Sequence, residues 1–287
     1  MKLIPKHRNS HVGELQGKVG KIAILSDLHW DNPKCNRELL AKHLKRCQDE
    51  GRKVIINGDM FCLMQGKYDP RRSKKDILPE HNKPNYLDAV IQDAVEWFAP
   101  YKDVLWLLGY GNHETAIIKN VETDPLQRFV DLYNMTAGGQ VSIGGYGGWL
   151  TIRQKPYENS DRSAKTVIYY YHGSGGGGVV TKGVIQHQRQ MADIEGADII
   201  TMGHVHELYS MVWNKKHLVE NTFVPTHREV HHLRTGTYKD EFTDGYMGWH
   251  VERGAPPKPL GCVAVDLEVV VTGSSTTRNI IPTIWTN

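Results

Sequence analysis

Two pairs of residues place metal-binding side chains at a fixed spacing. Asp27 and His29 are separated by one residue, and so are His204 and His206. In an extended segment, residues two apart point to the same face, so each pair can present two ligands to one cation. A surface strand end would explain either pair almost as well, and the argument therefore depends on what surrounds them.

A third stretch, Gly-Asn-His-Glu at 111–114, follows the apolar run 104–108. Glycine lets the backbone turn without a Cβ clash. The carbonyl oxygen of Asn112 can bind a hard cation, and His113 can gain or lose a proton near neutral pH. Alone, these four residues could form an ordinary turn.

These side chains all follow predicted strands, as do Asp59 and His172. Short apolar runs predict buried strands over 21–25, 53–57, 104–108, 166–171 and 198–202. Between the first two, helical spacing with Asn36 as N-cap and Gly51 beyond the end predicts a helix over 36–50. A strand–helix–strand unit predicts a parallel pair, whose carboxyl ends meet at the edge where α/β sheets bind ligands.

The rest of the chain reads as one domain over residues 1–287, with no linker or repeat. Further helices are predicted over 87–98, 124–133 and 182–195. The C-terminal portion is strand-like over 208–213, 232–238, 263–271 and 280–285. His43 falls on the apolar stripe of its helix and is expected in the core, whereas His187 is expected at the surface.

The bulk composition is that of an ordinary globular protein, 39% hydrophobic and 23% charged over 287 residues. A net charge of +3 gives no argument for nucleic-acid binding. The four cysteines have no Cys-x-x-Cys spacing, which argues against a zinc ribbon or a disulfide framework and suits a reducing compartment. No apolar run approaches a membrane span, and residues 1–20 lack the core of a signal peptide. We therefore expect a cytoplasmic protein without a membrane partner.

Two regions remain open at this stage. Residues 64–83 carry an excess of positive charge just after Asp59, and form either a loop that meets an anionic substrate or a solvated surface loop. His231, His232 and Arg234 either line the site or cap a strand.

The strand ends together supply more polar groups than packing explains, because buried carboxylates and imidazoles are costly unless paired or metal-bound. Mixed oxygen and nitrogen donors suit Mn²⁺, Fe or Zn²⁺ better than a lone Mg²⁺. Seven donors are too many for one tetrahedral ion and about right for two divalent ions that share a carboxylate. The seven candidate ligands are Asp27, His29, Asp59, Asn112, His172, His204 and His206.

In this order the motifs resemble those of the calcineurin-like metallophosphoesterase superfamily: Asp-Leu-His at 27–29, Gly-Asp at 58–59, Gly-Asn-His-Glu at 111–114, His172, and Gly-His-Val-His at 203–206. The resemblance spans roughly residues 20–210. It implies an α/β fold, a four-layer α/β/β/α sandwich of two mixed sheets flanked by helices, in which strands from residues 211–287 complete the second sheet.

The resemblance also implies roles for single residues. One metal ion would take Asp27, His29 and His206; the other would take Asn112, His172 and His204; Asp59 would bridge them. His113 would be the catalytic residue that is not a ligand, stabilising developing charge or protonating the leaving oxygen. A hydroxide bridging the two ions would attack phosphorus in line.

One departure from the superfamily is informative. Its Ser/Thr protein phosphatases resemble Gly-Asp-x-x-Asp-Arg-Gly after the bridging aspartate, and their second aspartate orients the catalytic histidine. Here Cys62 and Leu63 stand in those positions. This argues against a protein phosphatase and leaves the partner that orients His113 unassigned; Glu114 is adjacent only in sequence.

The sequence favours a metal-dependent phosphodiesterase that acts on nucleotides or nucleic acid. Basic residues over 67–75 and the aromatic residues Trp30, Tyr68 and Tyr171 could receive a nucleobase and its phosphates. A phosphomonoesterase of the same superfamily is the alternative. A catalytically silent scaffold would be expected to lose ligands, and none of the seven is missing. The substrate-binding residues, the metals and any protein partner are not identified by sequence.

Overall fold

The structure is a computed structural model, which describes residues 2–64, 76–219, 221–242, 251, 254, 256–273 and 275–286. The predicted basic loop over 64–83 falls largely on residues 65–75, which lie outside the described residues together with Tyr68. The two interpretations of that loop therefore stay predictions.

Two sheets and five helices form the described part of the chain. The strands are β1 (Ile4–His7), β2 (Ser10–Gln16), β3 (Val19–Leu25), β4 (Lys53–Asn57), β5 (Leu105–Gly109), β6 (Ser142–Ile143), β7 (Gly147–Lys155), β8 (Ala164–Tyr171), β9 (Ile199–Met202), β10 (Tyr209–Val219), β11 (Val224–Arg234), β12 (Cys262–Thr272) and β13 (Ser275–Trp285). The helices are α1 (Arg37–Glu50), α2 (Tyr86–Phe98), α3 (Asn112–Val121), α4 (Pro125–Thr136) and α5 (Val184–Asp193).

The first sheet has the strand order β13-β12-β3-β4-β5-β6. Strands β3 to β6 run parallel, with Ala23 opposite Val54 and Ile24 opposite Ile55, so the predicted parallel pair around α1 is confirmed. Strand β12 lies antiparallel to both β3 and β13. The carboxyl ends of β3, β4 and β5 therefore meet at one edge.

The second sheet has the strand order β1-β2-β7-β8-β9-β11-β10. The expectation that all strands from 211–287 complete this sheet is wrong, since only β10 and β11 join it, while β12 and β13 extend the first. The physical reason is the burial of β12 on both faces. Cys262 and Ala264 pack towards the helices, while Val263 and Val265 pack into the core between the sheets.

Three clusters of buried apolar residues hold the sheets and helices together. The largest core packs α1, α2 and α4 against the first sheet, and a second core fills the space between the sheets. A small cluster of Ala197, Ile200 and Val230 covers the outer face of the second sheet, where α5 contacts β9. The architecture is the expected four-layer α/β/β/α sandwich, and the predicted fold class is confirmed.

Local sequence signals explain where the helices begin and end. The side chain of Asn36 accepts a hydrogen bond from the Leu39 N–H, 2.9 Å away, and Gly51 ends α1 in the left-handed region at φ 66°. Asp124 caps α4 in the same way through the Gln127 N–H. Both ends of α1 and the start of α4 match the predicted bounds because caps stand at the sequence positions where caps are favoured. Helix α4 continues three residues beyond the predicted end at 133, to Thr136.

Two histidines test the expectations for burial. His43 is buried, as predicted, with its ring 2.8 Å from the Tyr238 hydroxyl. The expectation that His187 lies at the surface is wrong, because it is fully buried and its Nδ1 lies 3.0 Å from Nδ1 of His232. Helix α5 packs with this residue towards the second sheet, where β11 presents His232.

Candidate metal centre

The seven predicted ligands lie together at the carboxyl ends of five strands. Asp27 and His29 follow β3, Asp59 follows β4 and Asn112 follows β5. The second sheet contributes the remaining three, since His172 follows β8 and the pair at 204 and 206 follows β9. The site therefore spans both sheets, and no single strand–helix unit could build it.

Asp27, His29 and His206 form the first group of donors. Their ligand atoms all lie within 4.8 Å of one another. Nε2 of His206 lies 3.3 Å from Oδ1 of Asp27 and 3.4 Å from Nε2 of His29. Among the described residues, this Oδ1 atom is buried without a hydrogen-bond partner. A buried carboxylate oxygen in that state is costly unless a cation meets it.

Asp59, His172 and His204 form the second group, again within 4.8 Å of one another. Oδ2 of Asp59 lies 3.3 Å from Nε2 of His172. Asn112 joins this group, because its Oδ1 lies 3.2 Å from Nε2 of His172 and 2.8 Å from Nδ1 of His204. The amide oxygen and two imidazole nitrogens thus point at one small space.

Backbone groups fix how these rings and carboxylates are turned. Nδ1–H of His172 donates to the carbonyl of Asn57 at 2.9 Å, which leaves Nε2 directed into the site. Oδ2 of Asp27 accepts the His204 N–H at 2.9 Å and the Ser26 hydroxyl. Such partners set the tautomer and orientation of metal ligands.

Left-handed backbone is concentrated at the site. Five of the seven candidate ligands have positive φ angles: Asp27 (52°), His29 (47°), Asp59 (50°), His204 (71°) and His206 (57°). Each residue held there costs of order 1 kcal/mol or more, and such strain clusters at functional sites. The strained turns direct consecutive ligands into one volume.

Glycines allow the site loops to approach one another. A Cβ on Gly111 would lie 2.0 Å from Oδ1 of Asp59, and one on Gly203 would lie 2.6 Å from Oδ2 of Asp27. Both distances are too short for any side chain. The glycine before each of these ligand segments is therefore required by packing against a carboxylate from another strand.

The charges of the site favour cations. Burial opposes a proton on His172, yet the charges of Asp59 and Asp27 and the hydrogen bonds to it raise its pKa to about 10. Burial alone would favour neutral Asp59, but the charges of His172 and His113 hold the pKa of Asp59 well below its usual range. Ionised carboxylates in a buried cluster of imidazoles fit divalent ions, which supply the positive charge directly.

His113 is held by the main chain of another loop. Its Nδ1–H donates to the carbonyl of Cys62 at 2.5 Å, because a carbonyl can only accept. Nε2 therefore faces the centre, 3.9 Å from Oδ2 of Asp59. The orienting group that sequence left unassigned is this carbonyl, contributed by the residue that stands where a protein phosphatase has aspartate.

Glu114 has a different task. Its carboxylate is fully buried and accepts the N–H groups of Asp59, Phe61 and Gly111 at 3.2, 3.0 and 2.8 Å. It thereby ties the β4 loop to the start of α3. Burial, followed by the charge of Asp59, raises the pKa of Glu114 to about 8.

Asp31 was not singled out from the sequence, although it supports the same loop. Its carboxylate accepts the N–H groups of Cys62 and Leu63 at 2.5 and 2.9 Å and the Tyr86 hydroxyl at 3.1 Å. Asp31 therefore positions the carbonyl that orients His113. The one indication in the sequence is that Asp31 lies two residues after His29, and this position alone does not distinguish it from a surface carboxylate.

The sequence left the roles of Arg234 and His232 open, and the structure gives the two residues different partners. Arg234 is fully buried and donates to the carbonyls of Gly203 and Gly183 at 2.7 and 3.0 Å, so it supports the loop that carries His204. His232 instead pairs with His187, as described above. His231 is buried, and its N–H donates to the carbonyl of Asp198.

One family model matches most of the chain. Residues 20–236 match the family model described as calcineurin-like phosphoesterase. Vacuolar protein sorting 29 from Cryptosporidium parvum is similar at 13% identity, over 94% of this chain and 99% of that chain, with a TM-score of 0.39. GAP50, the anchor in the inner membrane complex of Plasmodium, is similar at 11% identity, over 93% and 84%, with a TM-score of 0.43.

No curated protein matches the sequence. Within the described residues, every helix is too short or too polar to cross a bilayer.

Proposed function

The chain belongs to the calcineurin-like phosphoesterase family, and from that premise we propose that it hydrolyses phosphodiester bonds of nucleotides or nucleic acid. The family establishes a metal-dependent phosphoesterase. The observation that carries the proposal is the convergence of seven oxygen and nitrogen donors around one space, with His113 beside them. A cavity that begins at His206 leaves room for a second substituent on phosphorus, which a diester has and a monoester lacks.

The donor groups support an assignment to two divalent ions. One ion would be held by Asp27, His29 and His206, and the other by Asn112, His172 and His204, with Asp59 shared. The close approach of the atoms within each group supports this division. The mixture of imidazole and carboxylate ligands favours Mn²⁺, Fe or Zn²⁺.

When bound, two such ions would lower the pKa of a water molecule and neutralise the oxygens of the phosphoryl group. The protein's own contribution is geometry. Glu114 and Asp31 hold the two loops that meet at Asp59 and His113. His113 in its protonated form keeps its Nδ1–H bond to Cys62 and can donate from Nε2 to the departing oxygen.

The test compares two chromogenic esters across added Mn²⁺, Zn²⁺ and Fe²⁺. We expect kcat/KM for bis-p-nitrophenyl phosphate to exceed that for p-nitrophenyl phosphate. Dominant monoester turnover would replace the proposal with a phosphomonoesterase. A purified protein with no metal and no activity after metal addition would revive the silent scaffold.

A further inference from the structure

A cavity of about 220 Å³ opens beside the candidate metal centre. His206 forms part of its wall, and the rest comes from two short segments, 239–242 and 257–260. Both segments follow residue 236, where the match to the family model ends. Apart from His206, the cavity lining therefore comes from residues beyond the range that the family model matches.

Hydrogen bonds fix both walls relative to the metal centre. The carbonyl of Asp27 accepts from the Thr237 hydroxyl at 2.8 Å and from the Tyr238 N–H at 3.1 Å. Thr237 also forms an isolated parallel β-bridge with Leu260, and the Thr237 carbonyl accepts the Gly261 N–H at 3.0 Å. A single residue thus anchors the two cavity segments to a candidate ligand.

Two ion pairs lie at this cavity. Lys239 pairs with Glu241 at 2.5 Å, and Lys258 pairs with Glu207, the neighbour of His206. All four side chains are nearly buried, with exposed fractions of 9–13%. Asp240 also lines the cavity, so its two lysines are offset by three carboxylates, those of Glu207, Asp240 and Glu241. The cavity therefore carries no net positive charge. A second phosphate would meet three carboxylates there.

The lining suits an uncharged polar group with an apolar face. Ammonium groups donate and carboxylates accept, as the hydroxyls of a sugar and the edge of a base require. Phe242, Pro257 and Leu260 offer apolar surface for the flat face of a base. The volume is below the roughly 300–1,000 Å³ of sites that enclose a whole drug-sized ligand, so one portion of a substrate fits.

We propose that this cavity binds the nucleoside that remains on the phosphate during hydrolysis, with Lys258 and Lys239 as specificity-determining residues. The proposal rests on the proposed phosphodiesterase function. The ring of His29 contacts both histidines, with its centroid 4.8 Å from that of His113 and 5.4 Å from that of His206. The leaving oxygen belongs on the His113 side, which places the retained substituent on the His206 side, at the cavity.

The experiment compares two diesters with the same leaving group: p-nitrophenyl thymidine 5′-phosphate and p-nitrophenyl methyl phosphate. We expect kcat/KM of the wild-type protein to favour the thymidine ester about tenfold or more, since each hydrogen bond to a charged group contributes about that factor. Lys258→Met should lose about tenfold of this preference, and Lys258→Arg should retain part of it. Lys45→Met, which breaks the exposed pair with Asp49 on α1, is the matched control and should keep the full preference.

A binding readout accompanies the rates. Thymidine 5′-monophosphate should inhibit more strongly than inorganic phosphate, and Lys258→Met should reduce that ratio, with metal content unchanged. Equal rates for the two esters in the wild-type protein would overturn the inference, and that comparison needs no variant. A stronger preference for an ester with a second phosphate would also overturn it. No hydrolysis of either ester with any metal would instead contradict the proposed function.

Discussion

His113 owes its orientation to a main-chain oxygen, which fixes the ring without adding a charge. The Cys62 carbonyl accepts from Nδ1, and Nε2 is left for the substrate side. A carboxylate in this position would stabilise the imidazolium, whereas a carbonyl mainly sets the angle of the ring. At the scale of single residues, the orientation of His113 therefore depends on a correctly placed backbone.

The first prediction concerns His113 itself. His113→Ala should lower kcat by about 10²–10⁴-fold on a diester with an alcohol leaving group, because general acid catalysis contributes about that much. The loss should be smaller on a p-nitrophenyl ester, whose leaving group needs little protonation. The metal content per chain should not change. Full kcat on the alcohol ester would show that His113 is not the acid.

The second prediction concerns Gly111. Gly111→Ala places a Cβ 2.0 Å from Oδ1 of Asp59, so the carboxylate or the loop must move. We expect metal bound per chain after dialysis to fall clearly. Gly176→Ala is the control, because nothing lies within 4 Å of its added Cβ. Equal metal retention in both variants would mean that the close approach of these loops does not matter.

At the scale of elements, loops after β3 and β4 act as one unit. Asp31 binds the N–H groups that follow Phe61, and the tyrosine hydroxyl of α2 joins the same carboxylate. The unit carries both Asp59 and the carbonyl that holds His113. A substitution that displaces one loop should therefore also displace the other.

The third prediction tests this coupling. Asp31→Ala should lower kcat with little effect on metal content. The change removes the acceptor of the Cys62 and Leu63 N–H groups, so the Cys62 carbonyl is no longer held towards His113. Combined with His113→Ala it should cause almost no further loss, because both changes remove the same contribution. Tyr86→Phe removes only one hydrogen bond to Asp31 and is the milder control. Additive losses in the double variant would separate Asp31 from His113.

The fourth prediction concerns the contact of α5 with β11. Burial, followed by nearby positive charge, lowers the pKa of His187 to about 2 and that of His232 to about 4. The unfolded chain takes up these protons below about pH 6.5 and the folded chain does not, so the free energy of unfolding falls as pH drops from 6.5 towards 4. Urea unfolding of His187→Gln between pH 7.5 and 5 should show a smaller fall than the wild type. Gln188→Ala, on the exposed side of α5, should behave as wild type, and an equal fall in all three proteins would contradict the assignment.

The elements that sequence predicts are those with a strong local pattern. Helix α1 has an apolar stripe and two caps, and β3 to β5 each contain a run of at least three consecutive apolar residues. Strand β1 was missed because it is exposed along its length and carries no apolar pattern. Strand β2 was missed because its consecutive buried residues, His11, Val12 and Gly13, include one large apolar side chain. The start of α3 at Asn112 was missed because a site motif resembled a turn.

The site follows a similar division. The seven candidate ligands could be brought together from sequence because their types and spacing are visible there. The Cys62 carbonyl could not, since every residue has one and only the fold decides where it points. Asp31 and Glu114 bind backbone N–H groups, and such contacts leave no pattern of their own.

At the scale of the whole molecule, the two sheets share one site, and the fold also covers most of the thiol groups. Burial is the first cause that raises the pKa of the thiols of Cys35, Cys62 and Cys262 to about 12. All four cysteines are free thiols. The fold therefore protects groups that would otherwise react.

The fifth prediction follows from this protection. Native protein should react with Ellman's reagent only slowly, because the thiolate is the nucleophile and is scarce at a raised pKa. After unfolding in guanidinium, four thiols per chain should react. Rapid labelling of more than one thiol in the native protein would contradict this protection, because Cys35 alone is partly exposed.

We propose that separate strand ends build one cage for a pair of divalent ions. An anomalous-scattering map of crystals grown with Mn²⁺ tests it most directly. We predict two peaks about 3.5–4 Å apart, one next to Asp27 and His206 and the other next to His172 and His204, with Asp59 between them. A map with no peak among these side chains, or with peaks only elsewhere, would contradict the account.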